Sequence, residues 1–184
     1  LIAALNANKV DMVISGVNPT EERKKAVDFS DVYYTSKGIF VVNKDSEEIK
    51  SVADLKNKKI GVQKGSTYET YAKEQLKMDD KNIQALTDVP SLLQDLKNKK
   101  IDVVLIPDDV AKIAMNKYTD IKISSFTADN DPEATGMAIA FKKGKNDSNK
   151  ELLEQVNAVI KEIQDQKAFE KELDKYAKIA AQSE

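Results

Sequence analysis

The 184-residue sequence has no cysteine and no histidine. These absences exclude thiol nucleophiles, histidine general bases and zinc sites built on either residue. No stretch approaches the roughly 20 consecutive apolar residues that a transmembrane helix needs. We therefore expect no cofactor and no metal, and any catalysis would have to depend on carboxylates, lysine, serine or tyrosine.

The chain also lacks a large excess of either positive or negative charge. The 29 basic and 31 acidic residues give a net charge of −2, and the lysines are spread along the whole chain. A nucleic-acid-binding protein would be expected to present a basic face, so we expect no nucleic-acid partner. Arginine is nearly absent, because Arg23 is the only one among the 29 basic residues.

From residue 51 onward, strand-like and helix-like segments alternate. Strands are expected at KIGVQ, NIQAL, IDVVLI and IKISSF. Helices are expected at SVADLKNK, with Ser51 as its cap, at STYETYAKEQLKM, at PSLLQDLKNKK, with Pro90 in its first turn, and at DDVAKIAMNKY. Strands of about five residues that alternate with helices of about ten indicate a parallel, doubly wound α/β sheet. Ligands bind such sheets beyond the carboxyl ends of the strands.

The remaining chain has the character of a second lobe. LIAALNANK is expected to be a helix, VDMVIS a buried strand, GIFVV and ATGMAIAFKKG further strands, and residues from about Asp147 to Ser183 helical. We divide the chain into 1–41 (lobe 1), 42–134 (lobe 2) and 135–184 (a return to lobe 1). The chain would cross between the lobes near Lys37–Val42 and near Ala134–Phe141.

The lone arginine lies in a segment suited to an anion. In Ser15–Arg23 a strand end, a glycine and a turn lead into a helix, and Thr20 is expected to cap that helix. Backbone N–H groups point outward at such a turn, and a guanidinium can bind a carboxylate through two parallel hydrogen bonds. Alternatively, Arg23 is a surface residue that pairs with Glu22 or Asp28.

Three further segments are candidates. Gly65, Ser66 and Thr67 offer hydroxyls and N–H groups between a strand and a helix, although an ordinary helix cap is the more common reason for this pattern. Asp108 and Asp109 lie where a strand meets a helix, and there an acid either caps the helix or holds an ammonium group. The aromatic residues of FSDVYY are more often core than a surface for a ligand.

Four segments of the chain occur in an order that is typical of one protein family. They are DMVISGVNPTEERKKAVDFSDVYYTSKGIFVV, SVADLKNKKIGVQKGSTYETYAKE, IDVVLIPDDVA and GMAIAFKKGKNDSNKELLEQVNAVIKEI. The whole chain resembles the bacterial extracellular solute-binding proteins of polar amino-acid ABC transporters (family 3). The resemblance implies a type II periplasmic-binding-protein fold of two lobes joined by two hinge strands. It also implies a protein that closes around an amino acid and delivers it to the transporter permease.

The resemblance also implies the residues that contact the ligand. In the family, an arginine at the position of Arg23 holds the α-carboxylate, and a Gly-Ser/Thr-Thr segment completes that site. Asn18 stands where the family usually has serine or threonine. The family's ammonium-binding acid would fall on Pro107, so we expect Asp108 to take that role. The expected ligand-binding residues are Arg23, Gly16, Asn18, Gly65, Ser66, Thr67, Asp108, Gln63 and Tyr68.

The opening residues LIAALNANKV look like the back half of a helix, and the family begins with a strand-helix-strand unit that has no counterpart here. We therefore expect a piece of a longer protein, in which an export signal or lipid anchor precedes residue 1. We also expect the incomplete first lobe to self-associate or to accept a partner segment at an open sheet edge. The expected location is extracellular, anchored on the cell surface, or periplasmic.

Two other functions are known for this fold. One is a cyclohexadienyl-type dehydratase that uses a carboxylate as its acid, and the lack of histidine does not exclude it. The other is an amino-acid-sensing domain that reports to a kinase or channel. We expect a binding protein with no chemical step.

Overall fold

A computed structural model describes residues 1–128, 135–144 and 148–182. Ala134, Asp147 and Ser183, at which the sequence analysis placed boundaries, lie outside these residues. The chain forms two compact units. Among the described residues, unit 1 comprises 1–36, 135–144 and 148–175, and unit 2 comprises 37–128 and 176–182.

Unit 1 is built on a three-stranded antiparallel sheet in the order β1-β8-β2. The strands are β1 (Met12–Val13), β2 (Val27–Thr35) and β8 (Gly136–Lys142). The helices are α1 (Ile2–Asn6), α2 (Glu21–Ala26), α6 (Ser148–Asp165) and α7 (Ala168–Gln182), of which residues 168–175 belong to this unit.

The central strand β8 separates the two small cores of unit 1. Ala140 packs with Leu5, Val13 and Val27 on one face of the strand, whereas its neighbours Ile139 and Phe141 pack with Ile160 of α6 on the other. This arrangement follows from the two-residue period of side chains along a strand. Tyr33 and Tyr34 of the FSDVYY segment lie against the ring of Phe169, with centroid distances of 5.5 and 4.7 Å.

The strand expected at VDMVIS is shorter than predicted. Only Met12 and Val13 pair with β8, and the flanking Val10 and Ile14 are 41% and 64% exposed. The prediction of a buried strand over the whole segment is therefore wrong. Ile14 instead borders an apolar groove of about 490 Å³, which Met12, Tyr33, Val156 and Val159 also line.

Unit 2 is built on a five-stranded sheet in the order β5-β4-β6-β3-β7. The strands are β3 (Gly38–Asn43), β4 (Ile60–Gln63), β5 (Ile83–Leu86), β6 (Val103–Pro107) and β7 (Ile121–Thr127). The helices are α3 (Thr67–Glu74), α4 (Val89–Lys97) and α5 (Asp108–Lys117), with short 3-10 turns at Val52–Leu55 and Asp80–Asn82.

The sheet of unit 2 is mixed: the strands of the alternating pattern run parallel, as predicted, and β3 joins them in the opposite direction. β4 runs parallel to β5 and β6, whereas β3 is antiparallel to both of its neighbours, β6 and β7. The strands linked by α3, α4 and α5 all run in one direction, as helical crossovers require. Since no helical crossover links β3 to β4, the alternating pattern did not determine its direction.

All six residues of β3 are buried, and the strand contributes to both cores of unit 2. Phe40 and Val42 pack with Val62, Tyr68 and Leu105 on one face. Ile39 and Val41 pack on the other face with apolar residues of α4, β6 and α5. The strand-like GIFVV segment is thus an interior strand of the sheet, between β6 and β7.

Several helix ends confirm local predictions. The Thr20 hydroxyl accepts a hydrogen bond from the Arg23 N–H, as expected of the cap of α2, and Pro90 lies in the first turn of α4. Ser51 and Asp54 form a reciprocal capping box before the 3-10 turn at Val52–Leu55. These caps use partners three residues apart, so the sequence alone locates them.

Candidate ligand-binding site

The lone arginine of unit 1 is fixed by the backbone of its own turn. The Arg23 Nη1 group donates to the carbonyl oxygen of Asn18 at 3.1 Å, and the Arg23 side chain is half-buried. Burial lowers the pKa of the Arg23 guanidinium, and the nearby Glu22 carboxylate opposes this effect. A guanidinium remains charged in proteins at neutral pH, so unit 1 presents a half-buried, oriented cation.

The two other expected contacts in unit 1 differ in exposure. Gly16 is exposed, and a methyl group added there would lie 3.7 Å from the Met137 Cε atom. Asn18 is only 9% exposed, and its Nδ2 group donates to the Gly136 carbonyl at 2.8 Å. The Asn18 side chain therefore bonds to β8, and its expected contact with a ligand stays a prediction.

In unit 2 the Gly65–Thr67 turn joins the carboxyl end of β4 to the start of α3. Gly65 has a φ of +72°, a conformation that glycine adopts at little cost. The Ser66 hydroxyl donates to the Gln63 carbonyl at 2.6 Å and accepts from the Glu69 N–H at 3.3 Å. The predicted helix cap is present, and Thr67 is the first residue of the helix.

Glu69 completes this turn, and the sequence analysis did not identify it. Its Oε2 atom accepts from the Gly65 N–H at 2.7 Å, and its Oε1 atom accepts from Lys73 Nζ at 2.8 Å. The bond from Lys73, followed by that from Gly65, holds the pKa of Glu69 below its ordinary value of 4.5. The S-x-x-E spacing of Ser66 and Glu69 is the signal that could have found it.

Gln63 and Tyr68 flank the turn differently. Gln63 is exposed, and its side-chain amide donates to the Thr87 carbonyl at 3.1 Å. The Tyr68 ring is 8% exposed and packs with Phe40 and Val62 in the core. The structure thus gives Tyr68 a packing role, and its expected contact with the ligand side chain stays a prediction.

Asp108 begins α5 at the carboxyl end of β6, the strand next to β4. Its Oδ1 atom accepts from the Lys37 N–H at 3.2 Å, and its own N–H donates to the Lys37 carbonyl at 2.8 Å. Lys112, one turn along the helix, lies 3.4 Å from Oδ2. Asp108 therefore fixes the start of β3 through a contact across 71 positions, which no local sequence pattern predicts.

The Gly65–Thr67 turn and Asp108 meet the rule for ligand sites in α/β sheets. Both follow the carboxyl ends of neighbouring parallel strands, where β4 and β6 end, and each lies at the start of a helix. Hydroxyls and N–H groups at such an edge can bind a carboxylate, and a carboxylate there can bind an ammonium group.

Nearly the whole chain matches the sequence profile of one protein family. The profile of the bacterial extracellular solute-binding proteins, family 3, matches residues 1–179. The chain belongs to this family. Family 3 proteins are extracellular or periplasmic, and the match confirms both the resemblance seen in the sequence and its α/β fold class.

Relatives with named ligands bind amino acids. The chain is 40% identical to the arginine-binding extracellular protein ArtP of Bacillus subtilis, over 93% of this chain and 64% of that protein. It is 33% identical to a probable histidine-binding protein of Campylobacter jejuni, over 96% and 65% respectively. The chain therefore spans just under two thirds of the length of these curated relatives.

A solved structure supports the fold in three dimensions. The amino acid ABC transporter substrate-binding protein AbpA of Streptococcus pneumoniae, bound to L-arginine, superposes with a TM-score of 0.81. It is 35% identical, and the match covers 98% of this chain and 72% of that one. Within the described residues, no helix is both long and apolar enough to cross a membrane.

Proposed function

We propose that this protein is the extracellular amino-acid-binding component of an ABC transporter. The observation that carries the proposal is the half-buried Arg23 guanidinium, which the Asn18 backbone carbonyl orients. The chain that holds it belongs to a family of solute-binding proteins. A guanidinium held in this way suits the α-carboxylate that all amino-acid ligands share. The function has no chemical step, since binding and release are sufficient for delivery.

L-arginine is the first ligand to test. ArtP is named as an arginine-binding protein, and AbpA was solved with L-arginine bound. Arg23 and the backbone of Gly16 would hold the ligand in unit 1. The Gly65–Thr67 turn would provide hydroxyl and N–H donors in unit 2, Asp108 would bind the ammonium group, and Gln63 would contact the side chain.

The surroundings of the protein are part of the same proposal. Delivery requires a permease that recognises the liganded protein, and an anchor at the cell surface would keep the two close together. Self-association through unit 1 stays a prediction, to which the apolar groove beside Ile14 gives a physical basis.

Isothermal titration of L-arginine and the other amino acids tests the proposal. The Arg23→Ala variant is expected to lose at least about a hundredfold in affinity, because a buried carboxylate would lose its charged partner. Lys24→Ala is the matched control, since it removes a positive charge from the exposed face of the same helix. Near-normal affinity in Arg23→Ala would contradict the assignment of the carboxylate site.

A further inference from the structure

Asn18 continues the hydrogen bonding along β8 on the side of β1, beyond the two residues of that short strand. Ala138 donates its N–H to the Val17 carbonyl at 3.0 Å, and two residues earlier the Gly136 carbonyl accepts from Asn18 Nδ2 at 2.8 Å. The next residue, Pro19, has no N–H to offer to the strand. The side-chain amide of Asn18 therefore supplies a donor at the end of this edge.

The backbone carbonyl of the same residue bonds within its own turn. The Asn18 carbonyl accepts from the Thr20 N–H at 3.0 Å and from Arg23 Nη1 at 3.1 Å. Asn18 thus holds the strand with its side chain and the guanidinium with its main chain. A displacement of the turn from β8 would move the acceptor that orients Arg23.

Gly136 lies at a point where the backbone of unit 1 is firmly held. It pairs with Thr35 at the end of β2, and the adjacent Ser36 N–H donates to the Thr135 carbonyl at 3.0 Å. The Asn18 amide therefore bonds to a two-stranded ladder rather than to a single loop. This support makes the position of the Asn18 carbonyl well defined.

We propose that Asn18 is a positioning residue, which aims the Arg23 guanidinium at the ligand carboxylate by fixing the turn to Gly136. The inference rests on the proposed function, and it replaces the expected direct contact of the Asn18 side chain with the ligand. A guanidinium binds a carboxylate through two parallel bonds, and small errors in position weaken such a pair strongly. Loss of the Asn18 amide should therefore act on the carboxylate contact in particular.

Binding of L-arginine and of L-argininamide, which lacks the carboxylate, provides the test. In Asn18→Ala we expect the affinity for L-arginine to fall about tenfold or more, with little change for L-argininamide. The preference of the protein for the acid over the amide should fall by the same factor. A merely structural role would weaken both compounds equally, and that result would overturn the proposal.

Asn43 offers a matched control in the other unit. It is also buried, and its Nδ2 group donates to the Leu96 carbonyl at 2.7 Å. Asn43→Ala should destabilise the protein in a similar way and leave the acid-to-amide preference unchanged. If Asn18→Ala does not fold, Asn18→Ser takes its place, because serine retains a hydrogen-bond donor with a shorter reach. Its preference for L-arginine over L-argininamide should be weaker than that of the wild type.

A second measurement needs no ligand. Arg23 is the only arginine in the chain, so arginine-selective ¹⁵N labelling gives the side-chain signals of this residue alone. The Nη signals should be resolved in the wild type and in Asn43→Ala, because the bond to Asn18 slows rotation of the guanidinium. They should merge in Asn18→Ala, and unchanged spectra would contradict the positioning role.

The two measurements separate this inference from the proposed function. A wild-type protein that binds L-arginine and L-argininamide equally would contradict the carboxylate assignment of Arg23. The NMR spectra of Asn18→Ala would still show whether Asn18 positions the guanidinium.

Discussion

Gly38, the first residue of β3, has no space for a side chain. A methyl group there would lie 2.7 Å from the Tyr68 Cε1 atom and 2.9 Å from the Ala128 Cβ atom. Real Cβ atoms do not approach their neighbours so closely, so the ring or the strand would have to shift. The same contact shows why Tyr68 belongs to the core: its ring packs directly over the backbone of the sheet.

Gly38→Ala is therefore expected to lower the free energy of unfolding by about 1–3 kcal/mol, as overpacked core sites do. Urea unfolding of the purified protein measures this change. Gly16→Ala is the control, because its methyl group would make an ordinary contact with Met137 at 3.7 Å. Equal stability of the two variants would show that the core of unit 2 adjusts without cost.

At the scale of the element, the Gly65–Thr67 turn and the start of α3 form one hydrogen-bonded unit. The Ser66 hydroxyl holds the N–H of Glu69, and the Glu69 carboxylate holds the N–H of Gly65. The first bond satisfies an N–H group that a helix start otherwise leaves without a partner, and the second ties the residue before the cap to the first turn of the helix. The turn is consequently held in shape by its own side chains.

Glu69→Gln should lower the free energy of unfolding by about 1 kcal/mol at neutral pH, because it removes a charged acceptor from this turn. The pKa of Glu69 is lowered in the folded state, so its contribution is present above the unfolded pKa and is lost as the pH falls through the folded one. The difference between wild type and variant should shrink as the pH falls below the ordinary value of 4.5 and vanish once the carboxyl group is protonated in the folded state as well.

Urea unfolding at a series of pH values between neutral and acid measures this difference. Asp80→Asn is a suitable control, since Asp80 is 88% exposed and lies 3.9 Å from the same Lys73. Exposed pairs of this kind contribute little to stability. A difference for Glu69→Gln that did not depend on pH would contradict the role of its charge.

The elements also show which predictions the sequence could support. The caps at Thr20 and Ser51 and the helix at Pro90 depend on residues a few positions apart, and all three were predicted. The S-x-x-E spacing of Ser66 and Glu69 was equally readable, and the bond of Glu69 to Gly65 was missed. The direction of β3 was not readable, because it depends on pairing with β6 and β7, which follow much later in the chain.

At the scale of the whole molecule, the proposed function places ligand contacts in two separate units. Gly16 and Arg23 belong to unit 1, whereas the Gly65–Thr67 turn and Asp108 belong to unit 2. If one amino acid uses both sets of contacts, its binding must stabilise both units together. A ligand that contacted a single unit would stabilise that unit alone.

Hydrogen exchange with and without L-arginine tests this expectation. Amide exchange should slow in residues 16–23 and in residues 65–68, by up to about a hundredfold when the ligand is at about 100 times its Kd. The turn at residues 98–100 precedes the amino end of β6, at the opposite end of the strand from Asp108, so it should show no local protection and serves as the internal control. Protection confined to one unit would contradict a ligand held by both.

The sequence by itself determined the alternation of strands and helices, the local caps and the family, because these depend on residues close together or on motifs in a fixed order. Only the tertiary structure decided that β3 runs against its neighbours and that Tyr68 fills the core. It also decided the bonds of Asn18 to Gly136 and of Asp108 to Lys37. Those partners lie 118 and 71 positions apart, and only packing and backbone hydrogen bonding bring them together.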